Sequence, residues 1–363
     1  MKKKQYQSSP SRGDRGGLSV GVLGAAGYTG GELIRLLLNH PGVNIVFANS
    51  ESNAGNPVSD VHEGLIGETD LVFSSETPFD EVDVVFFCFG HGKSEAYLKE
   101  HTIPDHVKII DLAQDFRIAA PAHDFVYGLP EIHHSLIAQA DRVANPGCFA
   151  TCIQLGLLPL AKAGLLYHDI SVNAITGSTG AGQKPGATTH FSWRNNNMSV
   201  YKVFNHQHLH EICQSINELT PAGAPQVTNP LLPSEETDSD SYTIDFIPYR
   251  GDFTRGIFCT EVVRFDGEEG SPTNPTGEQL ASLYKTYYQD AAFTHYVDKA
   301  LDLKQVVNTN KALVHIDKFG NKAVITSIID NLLKGAVGQA VQNMNIMFGI
   351  PEQTGLQLKA SAF

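Results

Sequence analysis

The chain is 363 residues long, which suits two domains at roughly 150 residues each. Acidic residues outnumber basic ones 39 to 26, a formal charge of −13, so neither nucleic acid nor an anionic membrane is an expected partner: both need a surplus of Lys and Arg. The 42% apolar share supports a sizeable core, and the longest apolar run, 84–89, falls far short of the roughly 18–20 residues of a membrane-spanning helix.

Residues 1–17 read as a polar tail. Lys2, Lys3 and Lys4 carry charge, but no apolar stretch follows, so no secretory signal is expected and a cytoplasmic location is the default. Residues 18–23 then form a short apolar strand, followed by a glycine turn and an amphipathic helix over 32–39. The β-branched runs 43–48, 82–88 and 107–111 are bounded by Gly, Pro and Asp, as in strands buried on both faces of a parallel sheet. This alternation predicts a Rossmann-type α/β dinucleotide-binding domain.

Farther on the pattern changes. A helix is expected over 149–163, strands over 171–176, 242–247, 257–265, 312–317 and 323–328, a helix over 277–289 and a last one over 335–347. Polar connections at 233–240 and 266–276 read as solvent loops. These elements predict an α+β domain with a mixed sheet. The cysteines Cys88, Cys148, Cys152, Cys213 and Cys259 are odd in number and contain no Cys-x-x-Cys pair, which suggests neither a disulfide framework nor a zinc ribbon.

The first chemical candidate is the turn Gly24-Ala25-Ala26-Gly27-Tyr28-Thr29-Gly30 after the opening strand. Glycines there permit a tight turn and let backbone N–H groups approach a pyrophosphate at a helix start. The second strand leads into Asn49, Ser50 and Ser52 rather than directly into an acid, which favours a ribose 2′-phosphate, hence NADP, over a free 2′-hydroxyl.

In Asn145-Pro146-Gly147-Cys148, Asn is a good N-cap and Pro suits the first helical position. Cys148 would then sit in the first turn, where the helix dipole favours a thiolate; a small core cysteine is the alternative. His206, His208, His210 and Glu211 offer imidazoles and a carboxylate for acid/base work beside that thiol. A zinc site or a plain solvated stretch are the other readings of this segment, and no metal site is expected. The loop 177–186, with Ser178, Thr179, Gly180 and Lys184, suits a phosphate or carboxylate, and Arg117, Arg194 and Arg255 are further anion clamps.

Taken together these segments resemble the N-acetyl-γ-glutamyl-phosphate reductases, the arginine-pathway branch of the aspartate-semialdehyde dehydrogenase-like reductases. The resemblance runs from about 18 to 347 and includes 111–117, 127–131, Tyr201 through Glu211 and 330–345. It implies a phosphorylating acyl-phosphate reductase using NADP(H), with Cys148 as nucleophile, His208 or His206 as acid/base and Glu211 in support. It further implies that Gly24, Ala25, Gly27, Tyr28, Thr29, Gly30 and Gly180 meet the cofactor, with Asn331 returning near the nicotinamide. Arg117, Asn145, Ser178, Thr179, Lys184 and Tyr201 would meet the acyl phosphate and inorganic phosphate.

The implied division is 18–147 with 331–363 for NADP and 148–330 for catalysis and self-association as a homodimer or homotetramer. Gln207 stands where the family commonly has Arg, and Phe149-Ala150-Thr151 where it often has Tyr-Pro-Thr. The first change leaves one positive contact to come from elsewhere, and leaves an N-acetyl or an N-succinyl substrate open. Aspartyl phosphate is the nearest rival substrate; a Cys-His acyl hydrolase and a non-catalytic NADP-binding regulator are rivals of other classes.

Overall fold

The computed structural model describes residues 17–229 and 241–361, so the expected tail, apart from Gly17, and the 233–240 loop lie outside the described residues. The first seven strands, β1 (Leu18–Leu23), β2 (Val43–Asn49), β3 (Phe73–Ser74), β4 (Val84–Phe87), β5 (Lys108–Asp111), β6 (Val126–Tyr127) and β7 (Arg142–Ala144), form one sheet in the order β3-β2-β1-β4-β5-β7-β6. Every pairing in it is parallel. The four residues of β4 are all buried, which explains their unbroken apolar run. Strand order reverses between β1 and β4, and the crevice outside their carboxyl ends is where such sheets bind ligands. Helices α1 (Tyr28–Leu38), α2 (Ser94–Glu100) and α3 (Pro130–Gln139) connect this sheet.

Helix α4 (Cys148–Lys162) leads into the second half. Residues 149–161 of it are all buried, as a helix apolar on every side must be. It packs against a second seven-stranded sheet made of β8 (Ile170–Thr176), β9 (Ser199–Val200), β10 (Ile244–Arg250), β11 (Ile257–Arg264), β12 (Thr294–Tyr296), β13 (Ala312–Phe319) and β14 (Lys322–Ile329). Its order is β12-β13-β14-β11-β8-β10-β9 with parallel and antiparallel pairs, a mixed sheet as expected. Helices α5 (Phe191–Arg194), α6 (His208–Leu219) and α7 (Gly277–Tyr287) belong to this half.

The chain closes with α8 (Gly338–Met347), entered through a wide π-turn at Leu333–Val337 rather than as the single helix expected over 335–347. Leu333, Val337, Val341 and Met344 of this segment join the core of the first sheet with Val20, Val22 and Leu33. The chain end therefore returns to the first half. No helix among the described residues is long and apolar enough to cross a membrane.

Candidate active site

The two halves meet around a cavity of about 640 Å³. One wall is the start of α1. Gly24 has φ +69°, and a Cβ there would come within 2.7 Å of Cys88 O; one on Gly30 would come within 2.5 Å of Ala25 O. Gly27 is the N-cap, and no side chain caps this helix, so its first-turn amides are bare. A Cβ on Gly27 would meet nothing nearer than Gly24 O at 3.8 Å. Two glycines thus fold the turn and the third leaves it open. Gly27, Tyr28 and Thr29 line the cavity, and this open helix start at the sheet's switch point fits a dinucleotide pyrophosphate.

The opposite wall is the start of α4. Its N-cap is Gly147, so the expected cap at Asn145 lies two residues too early and Cys148 is the first helical residue. Asn145 instead donates from Nδ2 to Ala336 O (2.9 Å) and accepts from Asn343 (3.1 Å), tying the turn to the returning segment. Gly335 lies directly against Cys148: a Cβ on it would sit 2.9 Å from Cys148 Cβ.

Three buried side chains support this turn. Glu211 accepts from Gly147 N (2.8 Å), Tyr127 OH (3.0 Å) and Arg117 Nη1 (3.0 Å). Arg117 also donates to Asn145 O and Leu112 O at 2.9 Å. The anion clamp expected at Arg117 is therefore engaged by the protein's own acceptors. His208 opens α6, and its Nε2 lies so close to Gly147 that a Cβ there would fall 2.4 Å away. Glu211 Oε1 stands 3.9 Å from that Nε2, beyond hydrogen-bond range, so the carboxylate holds the turn and Arg117 rather than bonding the imidazole.

Burial sets the protonation states. It drives His208 well below the usual 6.5, helped by the nearby Arg117 charge, and takes His206 down to about 2 with the help of His208 and Lys202. Both imidazoles are neutral. Burial likewise pushes the Cys148 thiol up to about 11, against the pull of Arg117 and of the Phe149 N–H. The thiolate expected from the helix start is therefore not favoured: desolvation outweighs the Arg117 charge and the Phe149 N–H. His206 Nδ1 accepts from His208 N, and both rings pack edge-on against Phe149.

Comparison with known proteins agrees with this architecture. Residues 19–140 match the family model described as semialdehyde dehydrogenase, NAD binding domain, and residues 148–331 the one described as semialdehyde dehydrogenase, dimerisation domain. N-acetyl-gamma-glutamyl-phosphate reductases from Phocaeicola vulgatus and Bacteroides fragilis are 58% and 57% identical over 346 residues, covering 95% of this chain and all of theirs. The chain belongs to the N-acetyl-gamma-glutamyl-phosphate reductase family. Its fold is also that of an aspartate semialdehyde dehydrogenase II from Vibrio cholerae (TM-score 0.65, 15% identity, 92% of this chain and 98% of that one). An aspartate semialdehyde dehydrogenase with NADP from Candida albicans aligns with a TM-score of 0.66 at 16% identity, again over 92% and 98%.

Within this family member, the cavity gathers Cys148, His206, His208, Tyr201, Asn331 and Gly180 with the α1 start. Asn331 accepts from Gly256 N (2.6 Å) and donates to Thr179 Oγ1 (3.0 Å), fixing the loop after β8 against the returning segment. Ser178 and Lys184 instead line a neighbouring cavity of about 300 Å³, which shares Thr179 and Tyr28 with the main one. Asn49 bonds Ser74 O, and the Ser50 and Ser52 hydroxyls accept from Asn53, at the end of β2 and away from Cys148. Ala25 donates its N–H to Asn49 O and its carbonyl meets His62 Nε2, so it braces the turn.

Arg194 donates to Arg250 O, Asn197 O and Thr188 O, and Arg255 pairs with Glu32 and Asp330; both expected clamps are structural. Gln207, where the family commonly has Arg, accepts from the Lys202 ammonium at 2.7 Å, and both line the cavity. Sequence reasoning missed His91, Thr176 and Arg250, which also line the cavity. His91 could have been found, since it follows a buried parallel strand whose carboxyl end faces the crevice. Thr176 and Arg250 carry no local signal.

Proposed function

We propose that the protein reduces N-acetyl-γ-glutamyl phosphate to N-acetylglutamate semialdehyde with NADPH, releasing inorganic phosphate, as a step of arginine biosynthesis. The observation that carries this reading is one cavity holding a cysteine at a bare helix start, a neutral imidazole packed on the preceding glycine, and an open glycine helix start across from them. The names of the close relatives support it.

A neutral imidazole is the form that accepts a proton, and a thiol near 11 needs an acceptor. His208 therefore takes the Cys148 proton as sulfur attacks the acyl carbon, and passes it to the departing phosphate. A thioester on Cys148 results, which splits one hard reduction into two easier steps. The bare amides of the first turn of α4 stabilise the negative charge that develops on the carbonyl oxygen. Gly24, Gly27, Gly30, Tyr28 and Thr29 would hold the NADPH pyrophosphate, and the cofactor supplies the hydride that reduces the thioester. Collapse of the thiohemiacetal releases the aldehyde and a thiolate, which regains a proton relayed by His208. Buried Glu211 keeps Gly147 and Arg117 fixed throughout.

Residues 18–147 with 331–363 are read as the NADP-binding unit and 148–330 as the catalytic and dimerisation unit, supported by the packing of α8 on α1 and α3. Self-association as a homodimer or homotetramer through the second sheet is part of the same reading, as is a cytoplasmic location, which suits five free cysteines.

The test runs the reaction backwards: phosphate-dependent NADP⁺ reduction with N-acetylglutamate semialdehyde, for wild type and Cys148→Ser. Activity that requires both phosphate and Cys148 is expected. Parallel arms with NAD⁺, N-succinylglutamate semialdehyde and aspartate semialdehyde rank cofactor and substrate. Turnover of aspartate semialdehyde alone would overturn the assignment.

A further inference from the structure

The cavity holds binding groups that the reaction path above leaves idle. Thr176 ends β8 and Arg250 ends β10, and the two are directly paired in parallel register. Both line the cavity. Thr176 is 1% exposed, and its hydroxyl has no hydrogen-bond partner; Arg250 Nε is likewise buried without one. Buried polar groups in native folds are seldom left unpaired, and two side by side on a cavity wall call for a ligand, an ion or a water to satisfy them.

Charge points the same way. Three permanent cations line the cavity: Arg117, Lys202 and Arg250. Arg117 is neutralised by Glu211 at 3.0 Å, and exposed Lys202 rests on the amide of Gln207 at the mouth. Arg250 lies over the ring of Tyr201, 4.7 Å from its centroid, with its orphaned Nε still to be used. A guanidinium edge takes a carboxylate with two parallel N–H donors, and a hydroxyl beside it can donate to a remaining lone pair.

We propose that Thr176 and Arg250 form the subsite for the substrate's α-carboxylate, the end of the molecule remote from its reacting acyl phosphate. This rests on the functional reading above. The subsite fixes the end of the substrate that stays in place while the other end exchanges phosphate for sulfur. Lys202, a point charge at the mouth, is left for the phosphate that must enter and leave.

Steady-state kinetics of the reverse reaction test this. Arg250→Gln is expected to raise KM for N-acetylglutamate semialdehyde about 30-fold and Thr176→Val about fivefold, with KM for phosphate within about twofold of wild type. Thr176→Ser, which keeps the hydroxyl, restores the wild-type KM. A second readout needs no turnover. N-acetylglutamate is expected to protect Cys148 from iodoacetamide in wild type but not in Arg250→Gln, read by mass spectrometry of the labelled peptide. N-acetyl-γ-aminobutyrate, which lacks the α-carboxylate, protects both proteins equally poorly. A rise in KM for phosphate instead of aldehyde, or unchanged aldehyde KM and protection in Arg250→Gln, overturns the subsite while the enzyme remains active. A wild type that neither turns over the aldehyde nor is protected by N-acetylglutamate overturns the functional reading and the subsite with it.

Discussion

Helices α1 and α4 both begin at a glycine N-cap, Gly27 and Gly147, and neither start is capped by a side chain. Around Gly27 there is room: the nearest atom to an added Cβ is a carbonyl oxygen 3.8 Å away. Around Gly147 there is none, because His208 Nε2 and Arg117 Nη1 would lie 2.4 and 2.7 Å from it. The same local device therefore serves two ends. At α1 the missing side chain leaves bare amides open to the cavity; at α4 it lets the protein's own imidazole and guanidinium close on the backbone beside the Cys148 sulfur. Local sequence shows that a glycine precedes a helix. Only the residues packed on it decide whether that glycine gives access or contact.

The α4 start should be the more fragile in activity. Cys148→Ala is expected to lower turnover by more than about 10⁴-fold while leaving NADPH binding intact, because in the proposed mechanism the nucleophile acts as a unit with its base. Residual activity within tenfold of wild type would remove the thioester from the mechanism. Gly147→Ala comes next. Its methyl must displace His208 or Arg117, and a displacement near 1 Å at a reacting group costs about 10²-fold. The loss should fall on kcat, with the far-ultraviolet spectrum unchanged. A Gly147→Ala enzyme with normal kcat would mean that His208 is not positioned by this contact.

Gly27→Ala should behave differently, and so sharpens the comparison. The free protein has space for the methyl, so Tm is expected to stay within about 2 °C. The methyl would occupy the approach to the bare amides, and the Kd for NADPH is expected to rise about tenfold, measured by fluorescence titration. Equal losses of Tm in Gly27→Ala and Gly147→Ala would show the two starts to be equally packed.

Strands β1, β2, β4 and β5 were legible because they are apolar runs, and the Gly24–Gly30 turn because it follows the first of them; β3, β6 and β7, two or three residues each, are too short to carry a pattern. Cys148 was placed at a helix start, though with the cap two residues early: Asn145 has cap chemistry, yet its side chain is committed to Ala336 and Asn343, nearly two hundred residues away. Helix α6 was missed, since its opening His208-Leu209-His210-Glu211 reads as a polar stretch until Leu209, Ile212 and Ile216 are seen to face the core. The pairing of Arg117 was hidden for the same reason, its partner Glu211 being 94 residues distant. The thiol's direction of shift was hidden as well. Helix position is local and favours a thiolate, whereas desolvation depends on everything packed around the sulfur and prevails.

That burial leaves a signature in stability, the smallest effect expected here. His206 and His208 have folded values depressed below the ordinary 6.5, His206 to about 2, so between these limits the unfolded chain binds protons that the folded one excludes. Their contribution is fully present above pH 6.5 and is lost as pH falls, at about 1.4 kcal/mol per pH unit for each imidazole. Urea unfolding of wild type between pH 7.5 and 5 will also carry the titration of paired carboxylates, so the informative quantity is a difference. His206→Leu, in a pocket walled by Phe149 and Phe246, should flatten the slope by about one proton below pH 6.5 and leave it unchanged above. An identical slope in the two proteins would mean that His206 keeps its proton when buried.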